Sequence, residues 1–122
     1  MTDARRRLGA RAEDAVAARL AAGGWPIEAR NWRCRFGEID LVARDGDCLV
    51  VVEVRARRRG AGDGAAEASV AGRKAQRLIR LGTAYVQQVG WEGAWRIDVA
   101  AVTVGAGGAV EHIAYYPSAV EG

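Results

Sequence analysis

The chain has 122 residues, 18 basic against 15 acidic, a net charge of +3 and half its residues hydrophobic. That length predicts one domain, 1–122, with a real core. Two cysteines without a Cys/His cluster exclude a disulfide scaffold and a zinc finger, and no apolar run reaches membrane-spanning length. The opening MTDARRRLGARAEDA is basic but lacks an apolar segment, so no signal peptide is expected and a cytoplasmic protein is.

In chain order, Thr2 or Asp3 caps a helix reaching about Ala22. Leu8, Ala12, Ala15, Val16 and Leu20 recur at helical spacing, and Gly23-Gly24 stop it. Residues 25–34 read as a strand with Pro26 near its start. Phe36-Gly37 reads as a turn. Glu38 to Arg44 alternates and leads into Asp45-Gly46, a strong hairpin signal. Residues 48–57 are the return strand, whose Leu-Val-Val-Val run predicts burial on both faces. Residues 58–68 lack periodicity and read as a mobile loop.

Ser69 caps a second helix to about Gln88, with Ala71, Ala75, Leu78, Leu81, Tyr85 and Val89 as its apolar stripe. Residues 95–104 and 109–116 are strands. The expected fold is α/β in the order αβββαββ, a mixed sheet flanked by helices. Residues 48–104 form a right-handed parallel crossover within it.

Basic residues cluster at Arg5, Arg6, Arg7 and Arg11, at Arg55, Arg57, Arg58 and Arg59, and at Arg73, Lys74, Arg77 and Arg80. If the fold brings the clusters together they form one phosphate-facing surface; otherwise they are three solvated faces. Lys74 is the only lysine in the chain. Ala, Gly and Arg are so abundant that codon bias accounts for much of the arginine.

Asp and Glu are disfavoured in strands, yet Glu38, Asp40 and Glu53 occupy strand-like segments beside Arg55. A two-residue Asp45-Gly46 turn pairs Arg44 with Asp47, which sets Asp40 opposite Val51 and Glu38 opposite Glu53. All four side chains then share one face, with Asp40 and Glu53 as diagonal neighbours about 7 Å apart at Cβ. Two such carboxylates repel unless a cation compensates, and hard oxygen donors suit Mg²⁺ or Mn²⁺. Alternatively they pair with nearby arginines on an exposed face. Arg55 is placed to hold a phosphate oxygen. Lys74 shares the face of Leu78, Leu81 and Tyr85, so it leans toward the same edge.

The segments RNWRCRFGEIDLV (30–42) and VEVRAR (52–57), with Lys74, RIDVAAV (96–102) and EHI (111–113), resemble the YraN-like family of bacterial proteins. The resemblance spans nearly the whole chain and implies a restriction-endonuclease-like fold. That superfamily carries an acid, then a Glu or Asp, then one residue and a Lys on a hairpin. Asp40 and Glu53 match the two acids, and Arg55 stands where Lys is usual. Ile39 stands where Pro is frequent. Glu13 is similar to the helix-borne acid that junction-resolving members add to the metal site.

The resemblance implies a metal-dependent endonuclease acting on DNA, including branched DNA. Asp40, Glu53, Arg55 and Lys74 are then catalytic, and Glu13, Asp40 and Glu53 hold Mg²⁺ or Mn²⁺. Arg57, Arg58, Arg59, Arg73 and Arg77 face nucleic acid. The alternative is a non-catalytic nucleic-acid-binding module in recombination, repair or DNA uptake. A homodimer would suit a junction substrate, which needs two cuts. Asp98 is expected to pair with Arg96 or to cap a neighbour, His112 to be structural, and the four Trp residues to pack in the core or strands rather than stack bases. Cys34 and Cys48 are expected as buried thiols.

Overall fold

The structure is a computed structural model and describes residues 2–60 and 72–120. The elements are α1 (Thr2–Ala22), β1 (Ile27–Cys34), β2 (Gly37–Asp45), β3 (Cys48–Arg58), α2 (Gly72–Val89), β4 (Trp95–Val104) and β5 (Val110–Tyr116). This is the α/β order expected. The sheet runs β1-β2-β3-β4-β5 and is mixed: β3 and β4 are parallel, and the other neighbours are antiparallel. The side chains of Thr2 and Asp3, the Ser69 cap, Ala71 and residues 61–68 lie outside the described residues.

The two helices lie on opposite faces. Ala12, Val16, Ala17 and Leu20 of α1 pack on Leu41, Ala43, Val50, Val52, Ala100 and Val102. Leu78, Leu81 and Tyr85 of α2 pack on Ile39, Val42, Leu49, Val51 and Ile97. The unbroken apolar run of β3 follows from this: Val50 and Val52 serve one core while Leu49 and Val51 serve the other. Among the described residues, no helix is long and apolar enough to cross a membrane.

The glycine stop of α1 is a Schellman cap. Trp25 N–H bonds the Leu20 carbonyl at 2.9 Å, Gly24 N–H bonds that of Ala21 at 3.0 Å, and Gly24 takes φ 94°. The capped residues leave the strand only from Ile27 onward, two residues later than expected. The first hairpin turns on Arg35-Phe36, with Gly37 already paired to Cys34. At the far end of α2, Val89 is 47 % exposed and drops out of the expected apolar stripe.

The second hairpin departs further. Asp45 pairs with Cys48 and Arg44 with Leu49, so the central pair is Gly46-Asp47, of which only Gly46 has a positive φ (59°). A glycine at the first central position suits a type II′ turn. The partner of each paired β2 residue therefore moves by two from the expected register, so that Leu41 meets Val52 instead of Val50, and the ladder ends there, before Asp40.

Gly82 sits beneath Trp95, where an added Cβ would lie 2.2 Å from ring atom Cζ3. Gly82→Ala should cost about 1–3 kcal/mol through displacement of that ring, despite a gain of about 1 kcal/mol in helix propensity. Urea unfolding checks this, and a stabilised variant would show that the ring moves freely.

Candidate metal and phosphate site

The site begins with an irregularity in β1. In a regular strand successive side chains alternate between faces. Ala29 and Trp32 both pack in the α2-side core, although three residues apart they should oppose each other. The residues between them, Arg30 and Asn31, both reach α1. Arg30 Nη2 lies 2.7 Å from Asp14 Oδ1, and Asn31 Nδ2 donates to Glu13 Oε1 at 3.0 Å. Asn31 absorbs the slip with a left-handed φ of 52°.

β2 slips at the same level. Ile39 and Val42 both serve the α2-side core, with Leu41 on the α1 side and Asp40 at the break. Arg30 pairs with Leu41 and Trp32 with Ile39, so Asn31 and Asp40 face each other across the strands. The β2–β3 pairing extends from the turn to Leu41 and Val52. Beyond it, the Asp40 carboxylate Oδ2 accepts the Val54 N–H at 2.7 Å.

β3 keeps its alternation. Val50, Val52, Val54 and Ala56 pack on the α1 side, which turns Glu53 and Arg55 toward α2. Glu53 is 13 % exposed at its side chain and lies 3.6 Å from Lys74 Nζ. The expected placement of Lys74 beside Glu53 is therefore what the structure has. The expected single face is not. Glu38 lines a groove with Glu13, Asn31 and Arg33 on the α1 side, and Arg33 Nε stands 3.7 Å from it, while Glu53 meets α2. The slip at Asn31 and Asp40 is the cause, since it breaks the alternation on which a common face depends.

Asp40 thus sits where the strands part, between an acid from α1 and an acid on the α2 side. Its carboxyl is pushed up to about 7. Burial is the largest cause, and the charges of Glu53, Glu13 and Glu38 add to it against the Val54 N–H bond, which lowers it. Among the described residues, no three His, Cys, Asp or Glu side chains are grouped closely enough to enclose a metal ion. The donor chemistry nevertheless fits a hard divalent cation. Glu13, Asp40 and Glu53 each offer carboxylate oxygen, the donor type that a hard divalent cation takes.

The basic clusters do not merge. α1 carries Arg6, Arg7 and Arg11 on one side of the sheet, and α2 carries Arg73, Arg77 and Arg80 on the other. Arg58 lines a small cavity with Arg7 and Arg11, and Arg59 lies 3.3 Å from Glu111. Arg57 follows Glu53 and Arg55 on the α2 side. Arg73 and Arg77 line an open groove of about 590 Å³ together with Arg35, Phe36 and Arg80.

Asp98 is fully buried and bonded to Arg96, so it belongs to the framework. All four tryptophans pack. Trp25 stands edge-on to Tyr115, Trp32 to Tyr85, Trp91 lies under Arg44, and Trp95 covers Gly82. His112 is exposed on β5, and Cys34 and Cys48 are free thiols only half buried. The residue that sequence reasoning missed is Asn31. Its one signal was an Asn within an otherwise strand-like run, since Asn is the non-glycine type that best tolerates a left-handed backbone.

The pattern of the uncharacterised protein family UPF0102 matches residues 12–102, a span that holds Glu13, Asn31, Asp40, Glu53, Arg55 and Lys74. A UPF0102 protein of Chloroflexus aurantiacus is 46 % identical over 114 residues, 92 % of each chain. One from Pelotomaculum thermopropionicum is 44 % identical over 120 residues, covering 98 % of this chain and 99 % of its own. One from Streptomyces coelicolor is 46 % identical over 115 residues, covering 90 % and 88 %. The chain belongs to the UPF0102 family, the YraN family expected from its motifs.

Proposed function

We propose that the protein is a divalent-metal-dependent endonuclease that hydrolyses phosphodiester bonds of DNA. The observation that carries this is the half-buried Asp40 carboxyl where the β2–β3 pairing ends, pushed up to about 7 by burial and by the charges of Glu53, Glu13 and Glu38, with Lys74 3.6 Å from Glu53. The restriction-endonuclease-like arrangement implied by the motif supports it.

Glu13, Asp40 and Glu53 would hold Mg²⁺ or Mn²⁺, which when bound supplies a Lewis acid that acidifies water and offsets charge on phosphoryl oxygen. The chain's own groups do the rest. Lys74 offers an ammonium beside Glu53, in the position to meet a phosphate oxygen or to return a proton to the leaving oxygen. Arg55, on the same side of β3, braces the phosphate, and because a guanidinium is a poor proton-transfer group that task falls to Lys74. Arg57, Arg73 and Arg77 lie on that side and would carry the flanking backbone by charge. Arg58 and Arg59 would reach DNA only beyond the strand end.

Arg55 in place of the usual Lys favours one second reading, a nucleic-acid-binding module that does not cut. Incubation with linear, nicked and branched DNA in Mn²⁺ separates the two. Cleavage is expected in the wild type and a loss of at least about 100-fold in Glu53→Gln. Binding to every substrate without cleavage would establish the second reading. No binding to any would overturn both.

A further inference from the structure

We propose that Asn31 is a positioning residue that aims the Glu13 carboxylate at Asp40, and that the break in β1 exists to place it there. This deepens the reading of Glu13 as a metal-holding group and rests on it.

A left-handed residue in mid-strand is an expense to the fold, because it interrupts alternation and leaves a favoured backbone region. Asn31 adopts φ 52° at that place. The return is specific. A regular strand would turn only one of residues 30 and 31 toward α1, whereas here both reach it. Arg30 holds Asp14 at 2.7 Å, and the Asn31 amide donates to Glu13 Oε1 at 3.0 Å. Two consecutive helix acids are thus held by two consecutive strand residues. The Arg30 pair ties the helix to the strand. The Asn31 bond takes one oxygen of Glu13 and restricts rotation of the carboxylate.

The surroundings point the same way. Asn31 lies level with Asp40 across the β1–β2 pairing. Both Asn31 and Glu13 line an open groove of about 490 Å³, where Gly9 and Ala10 leave space in front of them. The amide holds the Glu13 carboxylate without adding a cation that would compete with a bound metal. An Arg at this position would neutralise Glu13 and lose that selectivity.

Asn31→Gly separates the backbone role from the amide role. Glycine adopts φ 52° freely, which offsets its extra unfolded-chain entropy and the lost surface bond, so the fold is kept and its melting temperature changes little. Titration calorimetry of the full-length chain with Mn²⁺ should nevertheless show affinity reduced by about 10- to 100-fold. In a Glu13→Gln background, Asn31→Gly should have no further effect on Mn²⁺ affinity, because the amide acts only through Glu13. Wild-type binding with an Asn31→Gly affinity within twofold of it would overturn the inference and leave the metal reading standing. So would equal losses from Asn31→Gly with and without Glu13. A wild type that binds no Mn²⁺ would overturn the metal reading and this inference together.

Discussion

In metal-free buffer, Asp40→Asn should stabilise the protein at pH 8 by up to about 4 kcal/mol and change it little near pH 4. The folded carboxyl titrates at about 7 against an ordinary 3.8, chiefly because burial penalises its charge and secondarily because Glu53, Glu13 and Glu38 repel it. Between those values the folded chain keeps a proton that the unfolded chain releases. Wild-type stability is therefore full below about pH 4, falls as pH rises, and levels off above about 7. Asparagine keeps an oxygen for the Val54 N–H and never ionises, so it removes the slope while preserving the bond. Urea unfolding of both proteins at pH 5 and pH 8 with chelator present measures the difference. Two parallel profiles would show that Asp40 ionises without penalty.

Metal reverses the sign of this effect. A cation at Asp40 displaces the proton, so Mn²⁺ affinity of the wild type should climb with pH and plateau above about 7. Mn²⁺ should raise the melting temperature of the wild type at pH 8 and leave Asp40→Asn unmoved. On the proposed reading, the group that weakens the empty protein at neutral pH is the one that would hold the cation. A carboxylate placed solely for stability would show the opposite balance.

The pattern of apolar residues made the two-sided burial of β3 legible, because Leu49 to Val52 cannot face water on either side. The α1 stop was equally legible, because Gly24 is the residue that a Schellman cap needs at a positive φ. The second hairpin misleads for a non-local reason. Asp45-Gly46 is a good central pair in isolation, but the Asp45 carboxylate is taken by Arg96 Nη2 at 3.1 Å from β4, fifty-one residues away. Held in the ladder, Asp45 leaves the turn to Gly46-Asp47.

A move of two residues preserves parity, so that error alone would have kept the four site residues on one face. The slip at Asn31 and Asp40 is what divided them, and alternation rules have no symbol for it. The separation of the basic clusters is another matter of topology. Helical periodicity identifies the buried stripe of α1 and of α2, but which side of the sheet each helix takes depends on how the chain crosses it. Lys74 was legible because both facts it needs are local: its spacing from Leu78 and Leu81, and the entry of its helix from the strand bearing Glu53.

Asp98→Ala should destabilise the protein by about 3–5 kcal/mol, equally with and without metal. Asp98 is the one charged residue fully buried among the described residues. Its Oδ1 accepts Arg96 Nε at 3.0 Å and Ser118 N–H at 2.8 Å, and its Oδ2 accepts the Tyr115 hydroxyl at 2.6 Å. Burial and that bond to Asp98 hold the Tyr115 phenol far above its ordinary range, so it remains a donor at any pH the protein meets. Alanine would leave three donors without their acceptor, and Arg96 would keep only Asp45.

Removing the arginine too should cost less than the sum of the two single changes, since the buried charge then leaves with its partner. A double variant such as Arg96→Met with Asp98→Leu tests that non-additivity by urea unfolding. Strict additivity would mean that the pair contributes nothing as a pair. The contrast with Asp40 is physical: both acids are shielded from water, but Asp98 is matched by donors within the chain. Among the described residues, Asp40 has the Val54 N–H set against the charges of Glu53, Glu13 and Glu38, a deficit that the proposed cation would correct.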